Sequence, residues 1–162
     1  MLKILVLLAM IICNYKVFAQ NSLQYSFAMF NSDTCCWRKL SAEGKYIDGA
    51  NLIVAYMAAN KNARGQNANW HAGQLFAMGG DIQQAKKYFK KTYSVFQKWL
   101  GGKDGGAWYY FAKGTQAFVV RDKDKLQHII RKWERKYPQD GNYKELTKLY
   151  ANWDKPYSEA YK

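Results

Sequence analysis

The chain is poor in cysteine, proline, histidine and acid. Three cysteines in 162 residues are too few for a dense disulfide scaffold. Two prolines and no low-complexity tract exclude a collagen-like or proline-rich polymer. Beyond the N-terminal segment no run is long and apolar enough to cross a bilayer, which takes about 20 residues. Alternating strand patterns are absent as well. Only 12 Asp and Glu stand against 25 Lys and Arg, so the formal charge is +13. No Asn-x-Ser/Thr sequon occurs, which is consistent with a bacterial export route. What remains is 49% apolar and 17% aromatic. That is enough to bury a core and excludes a disordered tail. The length suits one domain or one short repeat array.

The first segment reads as an address. Lys3 is followed by an apolar run from Ile4 to Cys13, and Val17-Phe18-Ala19 offers modest side chains at a cleavage site. These are the parts of a secretory signal peptide over residues 1–19, cut after Ala19. A lipidated Cys13 fits less well, because Ile12 stands where a lipobox takes Gly, Ala or Ser. Lys3 and Lys16 leave with the signal, which lowers the charge from +13 to +11. The expected product is a secreted or periplasmic single domain over residues 20–162. Cys35 and Cys36 then remain, side by side. An adjacent pair makes a strained small ring, so no ordinary intramolecular bridge is expected. Two small half-buried residues on a helix are the simplest reading. An intermolecular bridge, or soft-metal binding with His71 or His128, are the alternatives.

The rest reads as all-α. From Asp81 to Leu100 apolar positions recur at spacings of three and four, through Ile82, Ala85, Tyr88, Phe89, Phe96, Trp99 and Leu100. Asp81 suits an N-cap, and Gly79-Gly80 suits the close of the preceding helix. Trp108 to Val120 is aromatic and apolar. Asp122 to Tyr137 is charged, with Leu126, Ile129, Ile130 and Trp133 at helical spacing. A tight turn at Arg121-Asp122 would set these two helices antiparallel. Asn142 to Trp153 is amphipathic again, and Asn152 to Pro156 should stop it. Tyr157 and Tyr161 are then placed to lie back on the body. Gly101 to Gly106 reads as a flexible loop, and Ala63 to Ala68 as a polar connector.

The chain also aligns with itself. With Trp70–Thr92 set over Phe111–Trp133, Gly73 falls on Gly114, Phe76 on Ala117, Asp81 on Asp122, Ala85 on Leu126 and Phe89 on Ile130. Asn31 to Tyr56 joins with Trp37 at the glycine position, then Leu40, Gly44, Tyr46, Gly49 and Ile53. The offsets are 36 and 41 residues, a range that helix-hairpin arrays use. The order Gly73, Phe76, Gly80, Ile82, Ala85, Phe89, repeated by Gly114, Leu126, Ile130 and Pro138, resembles the tetratricopeptide repeat (TPR). The resemblance covers roughly residues 29 to 138. It departs at Trp37, and at Arg121 and Lys123, which replace a turn glycine and an aromatic. It implies TPR-like antiparallel hairpins in a short array, with the 142–153 segment as a C-terminal capping helix. The positions that face ligands in that family fall on Arg38, Trp70, Gln74, Met78, Trp108, Phe111, Thr115 and Phe118. Such a groove implies non-catalytic binding of a protein, a peptide or a sugar chain of the cell envelope.

Two other classes compete. Lys86, Lys87, Lys90 and Lys91 form one basic block, and Arg131, Lys132, Arg135 and Lys136 another. Such blocks attract polyanions in a salt-dependent way. For an exported chain, anionic envelope polymers or lipids are nearer partners than nucleic acid. A small secreted hydrolase is the third class. His71 in Asn69-Trp70-His71-Ala72-Gly73-Gln74 is the one distinctive candidate base, but no nucleophile signature accompanies it. No paired-histidine zinc helix occurs, and no motif selects a glycosidase carboxylate pair. We therefore expect no catalytic residue, no metal and no cofactor.

Overall fold

The computed structural model describes residues 20–136 and 139–161. The signal segment expected over residues 1–19, and the repeat position at Pro138, lie outside the described residues. All regular structure among the described residues is helical, with no strand. No helix among them is long and apolar enough to cross a membrane. The chain divides into two units, one ending at Arg64 and one beginning at Gly65.

The first unit holds α1 (Phe27–Phe30), α2 (Cys36–Ala42), α3 (Tyr46–Ala59) and a 3-10 turn at Lys61–Ala63. Ser26 starts α1 by accepting the Met29 amide on its hydroxyl. Phe30 stacks flat on Tyr56 at 3.8 Å, and the Tyr56 hydroxyl donates to the Tyr25 carbonyl at 2.8 Å. Trp37, Leu40 and Ile53 fill the remaining core. Arg64 closes α3 by donating from Nε to the Met57 carbonyl at 2.8 Å, which satisfies one of the last acceptors of the helix. Cys35 and Cys36 correct the expectation of no intramolecular bridge: the two form a disulfide. Cys36 takes a left-handed φ of 55°, with the two Cα atoms 3.7 Å apart. The local backbone, rather than a distant partner, brings the sulfurs together.

The second unit holds α4 (Gln66–Met78), α5 (Ile82–Lys90), α6 (Val95–Leu100), α7 (Gly102–Val119), α8 (Lys123–Glu134), α9 (Gly141–Ala151) and α10 (Tyr157–Ala160). The α4–α5 turn is set by Gly80 at φ 84°. The Asp81 amide donates back to the Phe76 carbonyl at 2.9 Å, and the Asp81 carboxylate accepts the Gln84 amide. This joins a helix C-terminus to an N-cap in two residues. The α7–α8 turn repeats it. Arg121 takes φ 61°, the Asp122 amide donates to the Ala117 carbonyl at 2.9 Å, and the Asp122 carboxylate accepts the Lys125 amide. In the first unit, Gly44 at φ 73° likewise brings the Lys45 amide to the Leu40 carbonyl at 2.9 Å. Leu40, Phe76 and Ala117 are separated by the same 36 and 41 residues as the sequence self-alignment.

Helix α7 is the centre of this unit and packs against α5, α6, α8 and α9. It comes close to α9 at Gly114, where a Cβ would lie 2.5 Å from Leu146 Cδ2. Leu146 is fully buried there. Phe89 and Phe118, both buried, pack on Tyr157 of α10, and Trp133 packs on Tyr110 and Phe111.

Three expectations about elements are corrected. The 81–100 segment is two helices, because the chain turns at Lys91–Ser94 and starts again with Ser94 as N-cap. Thr92 sits in the break, where its hydroxyl donates to the Phe89 carbonyl and its side chain is buried. The glycine-rich 101–106 stretch is helical from Gly102 onward. The 63–68 connector shrinks, since α4 already begins at Gln66.

Gly114→Ala should lower stability by about 1–3 kcal/mol, the usual cost of overpacking a filled core. Urea midpoints of the single variant and of Gly114→Ala/Leu146→Ala test this. The double variant should lose less than the sum of the two single changes. A midpoint raised by Gly114→Ala alone would show that the α7–α9 contact has slack.

Candidate functional site

The eight ligand-facing candidates are divided between the two units, one in the first and seven in the second. Arg38 lies in the first unit, where Nε donates to the Asn31 carbonyl at 3.0 Å. Its guanidinium sits 4.3 Å from the Trp37 ring centre and 3.6 Å from Asp33. Phe111, Thr115 and Phe118, all on α7, are buried, because four helices surround α7. Gln74 is buried on α4, with its amide oxygen 3.2 Å from His71 Nδ1. Met78 is half-buried beside an apolar hollow of about 350 Å³ that Ile82, Phe118 and Tyr157 also line.

Trp70 and Trp108 meet edge to face at 4.9 Å. Trp70 is buried against Phe89 and Phe111, at 5.0 and 5.1 Å. Trp108 is half-buried, and its indole N–H donates to the Thr92 carbonyl at 2.7 Å. That bond fixes the ring plane and leaves part of the ring at the surface.

A cleft opens over this ring. One part, about 420 Å³, is lined by Gln66, Gln97, Asp104, Trp108, Asp140 and Asn142. The adjoining part, about 360 Å³, is lined by Gln66, Asn67, Trp70, His71 and Trp108. Gln97 Nε2 donates to Gln66 Oε1 at 2.7 Å across the cleft. Asp140 Oδ1 accepts the Asn142 amide at 2.9 Å. The surface is thus one aromatic ring bordered by carboxamides, two carboxylates and an imidazole. Gln66, Gln97, Asp104, Asp140 and Asn142 were not among the sequence candidates. Asp140 carried a usable signal, an acid just before an amphipathic run. Asp104 was obscured by the glycines around it.

The two basic blocks are at the surface. Lys86, Lys87, Lys90 and Lys91 of α5 are exposed, as are Arg131, Lys132, Arg135 and Lys136 at the end of α8. Lys91 rests its ammonium 4.8 Å from the Tyr88 ring centre. His128 is exposed on α8. No group of three metal-ligating side chains occurs among the described residues.

In the first unit the Lys45 ammonium beside Glu43 holds that carboxyl below its ordinary value, and among the described residues of the second unit the shifted acidities belong to tyrosines. Burial pushes the Tyr157 phenol well above its ordinary value, and neighbouring Tyr161 adds to the shift. The Tyr157 hydroxyl lies near the Gln74 amide but makes no hydrogen bond of ordinary geometry. Burial also raises Tyr161 and Tyr93. The Tyr93 hydroxyl donates to Gln116 Oε1, and Gln116 in turn donates to the Lys86 carbonyl at 2.9 Å.

The chain matches no protein-family model, and neither the curated proteins nor the solved structures offer a match to it.

A phenol whose folded pKa is raised stabilises the fold fully below the unfolded value of about 10. That contribution is lost as pH climbs from there through the folded value. Unfolding midpoints measured from neutral pH to beyond pH ~10 should therefore fall at the alkaline end. Tyr157→Phe should cost little at neutral pH, because the hydroxyl has no partner to lose. It should also flatten the alkaline fall. An unchanged alkaline slope in Tyr157→Phe would assign the effect to other groups.

Proposed function

We propose that the protein is an exported, non-catalytic binding module of the cell envelope. It holds a polar chain, a sugar strand or a peptide, against the face of Trp108. The observation that carries this reading is the cleft itself: a half-buried indole, fixed by its bond to Thr92, bordered by Gln66, Gln97 and Asn142. Flat sugar or peptide faces stack on such a ring. Carboxamides and carboxylates supply the paired donors and acceptors that fix orientation. Export rests on the signal-like pattern of residues 1–19. The helical hairpins are read as TPR-like, and α9 as the helix that covers the last of them. The shared turn bonds at the 36- and 41-residue offsets and the close α7–α9 contact at Gly114 support that reading.

The exposed lysines of α5 favour a second reading, a basic adaptor for anionic envelope polymers. The two readings separate by salt. Contacts between exposed charges weaken as the Debye length shrinks, whereas stacking on an aromatic ring does not.

Immobilised protein should retain envelope material through a high-salt wash. Trp108→Phe, which keeps the packing but removes the N–H and part of the ring, should cut that retention by about tenfold, or ~1.4 kcal/mol. Retention that vanishes with salt in the wild type would favour the basic surface. Retention untouched by Trp108→Phe would remove the cleft from the binding. Fragments released by the wild type but not by Asp104→Asn would make the cleft an active site instead.

A further inference from the structure

Helix α6 is built inside out. Its six residues, Val95–Leu100, include no buried side chain. Val95, Phe96, Trp99 and Leu100 are 59, 78, 76 and 82% exposed. They occupy one face, at spacings of one, four and five. The polar residues of the helix turn toward the body. Gln97 donates to Gln66, and the Lys98 ammonium sits 5.2 and 5.4 Å from the ring centres of Tyr109 and Tyr110. A helix that ended its folding in water would bury the first set and expose the second.

This arrangement is held in place. Ser94 caps α6 by accepting the Gln97 amide at 3.1 Å. The Gln97 carbonyl then lies so close to Gly101 and Gly105 that a Cβ at either position would collide with it. The backbones of α6 and the start of α7 are therefore packed together, and the four apolar side chains stand out on a fixed knuckle.

Charge identifies what covers the knuckle. Between Ile82 and Lys103 the sequence contains Lys86, Lys87, Lys90, Lys91, Lys98 and Lys103 and no acidic residue, with Asp81 and Asp104 just outside its two ends. All of these lysines except the inward-facing Lys98 are exposed. A Trp and a Phe flanked along the chain by exposed lysines fit the headgroup boundary of an anionic bilayer, where indole rings settle and lysines meet lipid phosphates. Four side chains are too few for a stable protein interface, which takes about 20–30 residues a side.

We propose that α6 is a membrane-docking knuckle, which inserts Phe96 and Trp99 into the interface of an anionic lipid bilayer while the flanking lysines contact the headgroups. This surface does not depend on the Trp108 cleft being a binding site.

The test uses the full chain with phosphatidylcholine vesicles, with and without phosphatidylglycerol. Residues 4–12 are themselves apolar, so sedimentation alone would not identify the surface. Lipids brominated on their acyl chains are therefore included, and quenching in the wild type is compared with that in Trp99→Phe. The difference between the two reports on Trp99. The expected result is quenching of the Trp99 component on anionic vesicles only. Phe96→Ser/Trp99→Ser should weaken binding at least about tenfold. Lys90→Gln and Lys91→Gln should each cost roughly fivefold. These positions are exposed, so circular dichroism should show the variants folded. Vesicle binding without quenching of Trp99 would place the contact elsewhere and overturn the proposal. So would no binding to anionic vesicles. A dimer that is lost in Phe96→Ser/Trp99→Ser, with no vesicle binding, would overturn it in favour of a second copy of this chain.

Discussion

The second unit depends on the near-contact between the backbone of α7 at Gly114 and Leu146 of α9. A helix packed on four neighbours cannot be thick on every side. One of its faces has to be nearly bare, and in α7 that face is at Gly114. Because α9 fits closely there, Leu146 and Leu149 are buried, and α8 contacts both α7 and α9. Trp133 of α8 is then fully buried against Tyr110 and Phe111. A bulkier residue at 114 would push α9 outward and leave gaps along this aromatic row, and closely packed interiors tolerate such gaps poorly.

The caps and turns were legible because their chemistry is local. Asp81 and Asp122 stand where an amide needs an acceptor, and Gly44 and Gly80 stand where the chain turns left-handed. The turn at Arg121-Asp122 was legible too, but the reason for an arginine in it was not. Arg121 adopts the same φ without being glycine, and its side chain has work that glycine cannot do. The guanidinium donates to the Trp153 carbonyl and lies over the Phe118 and Trp153 rings, at 5.4 and 5.1 Å. That ties the C-terminal segment to the α7–α8 turn. A contact 32 residues away in sequence leaves no trace in a window of a dozen residues.

The misread segments share a cause. Helical periodicity through residues 81–100 was real as a pattern, but Thr92 fits an apolar face and a buried turn equally well. Its hydroxyl closes the end of α5, and its carbonyl receives the Trp108 indole. The run of glycines from 101 to 106 has low helix propensity. Packing overrides it, because only residues without a side chain let the Gln97 carbonyl come so near. The cleft was partly hidden for the same reason. Trp70 and Trp108 were visible as aromatics at helical spacing. Gln66, Gln97, Asp104, Asp140 and Asn142 come from four separate elements and the α8–α9 connection, and only tertiary structure gathers them.

The cleft and the basic surfaces solve opposite problems of charge. A chain at +13 draws anions toward itself broadly, and a general attraction of that kind selects little. Asp104 and Asp140 place negative charge beside Trp108, so an anion drawn in by the lysines meets repulsion at the cleft. Neutral or cationic chains do not. On the proposed reading, long-range attraction would act through the exposed lysines of α5 and α8, and short-range selection through a cleft of the other sign. The glycines at 101 and 105 serve both regions. They seat α6 against α7, and Gln97 of that same helix reaches Gln66 to form one wall of the cleft. A change that loosened this seat would disturb the apolar knuckle and the cleft wall together.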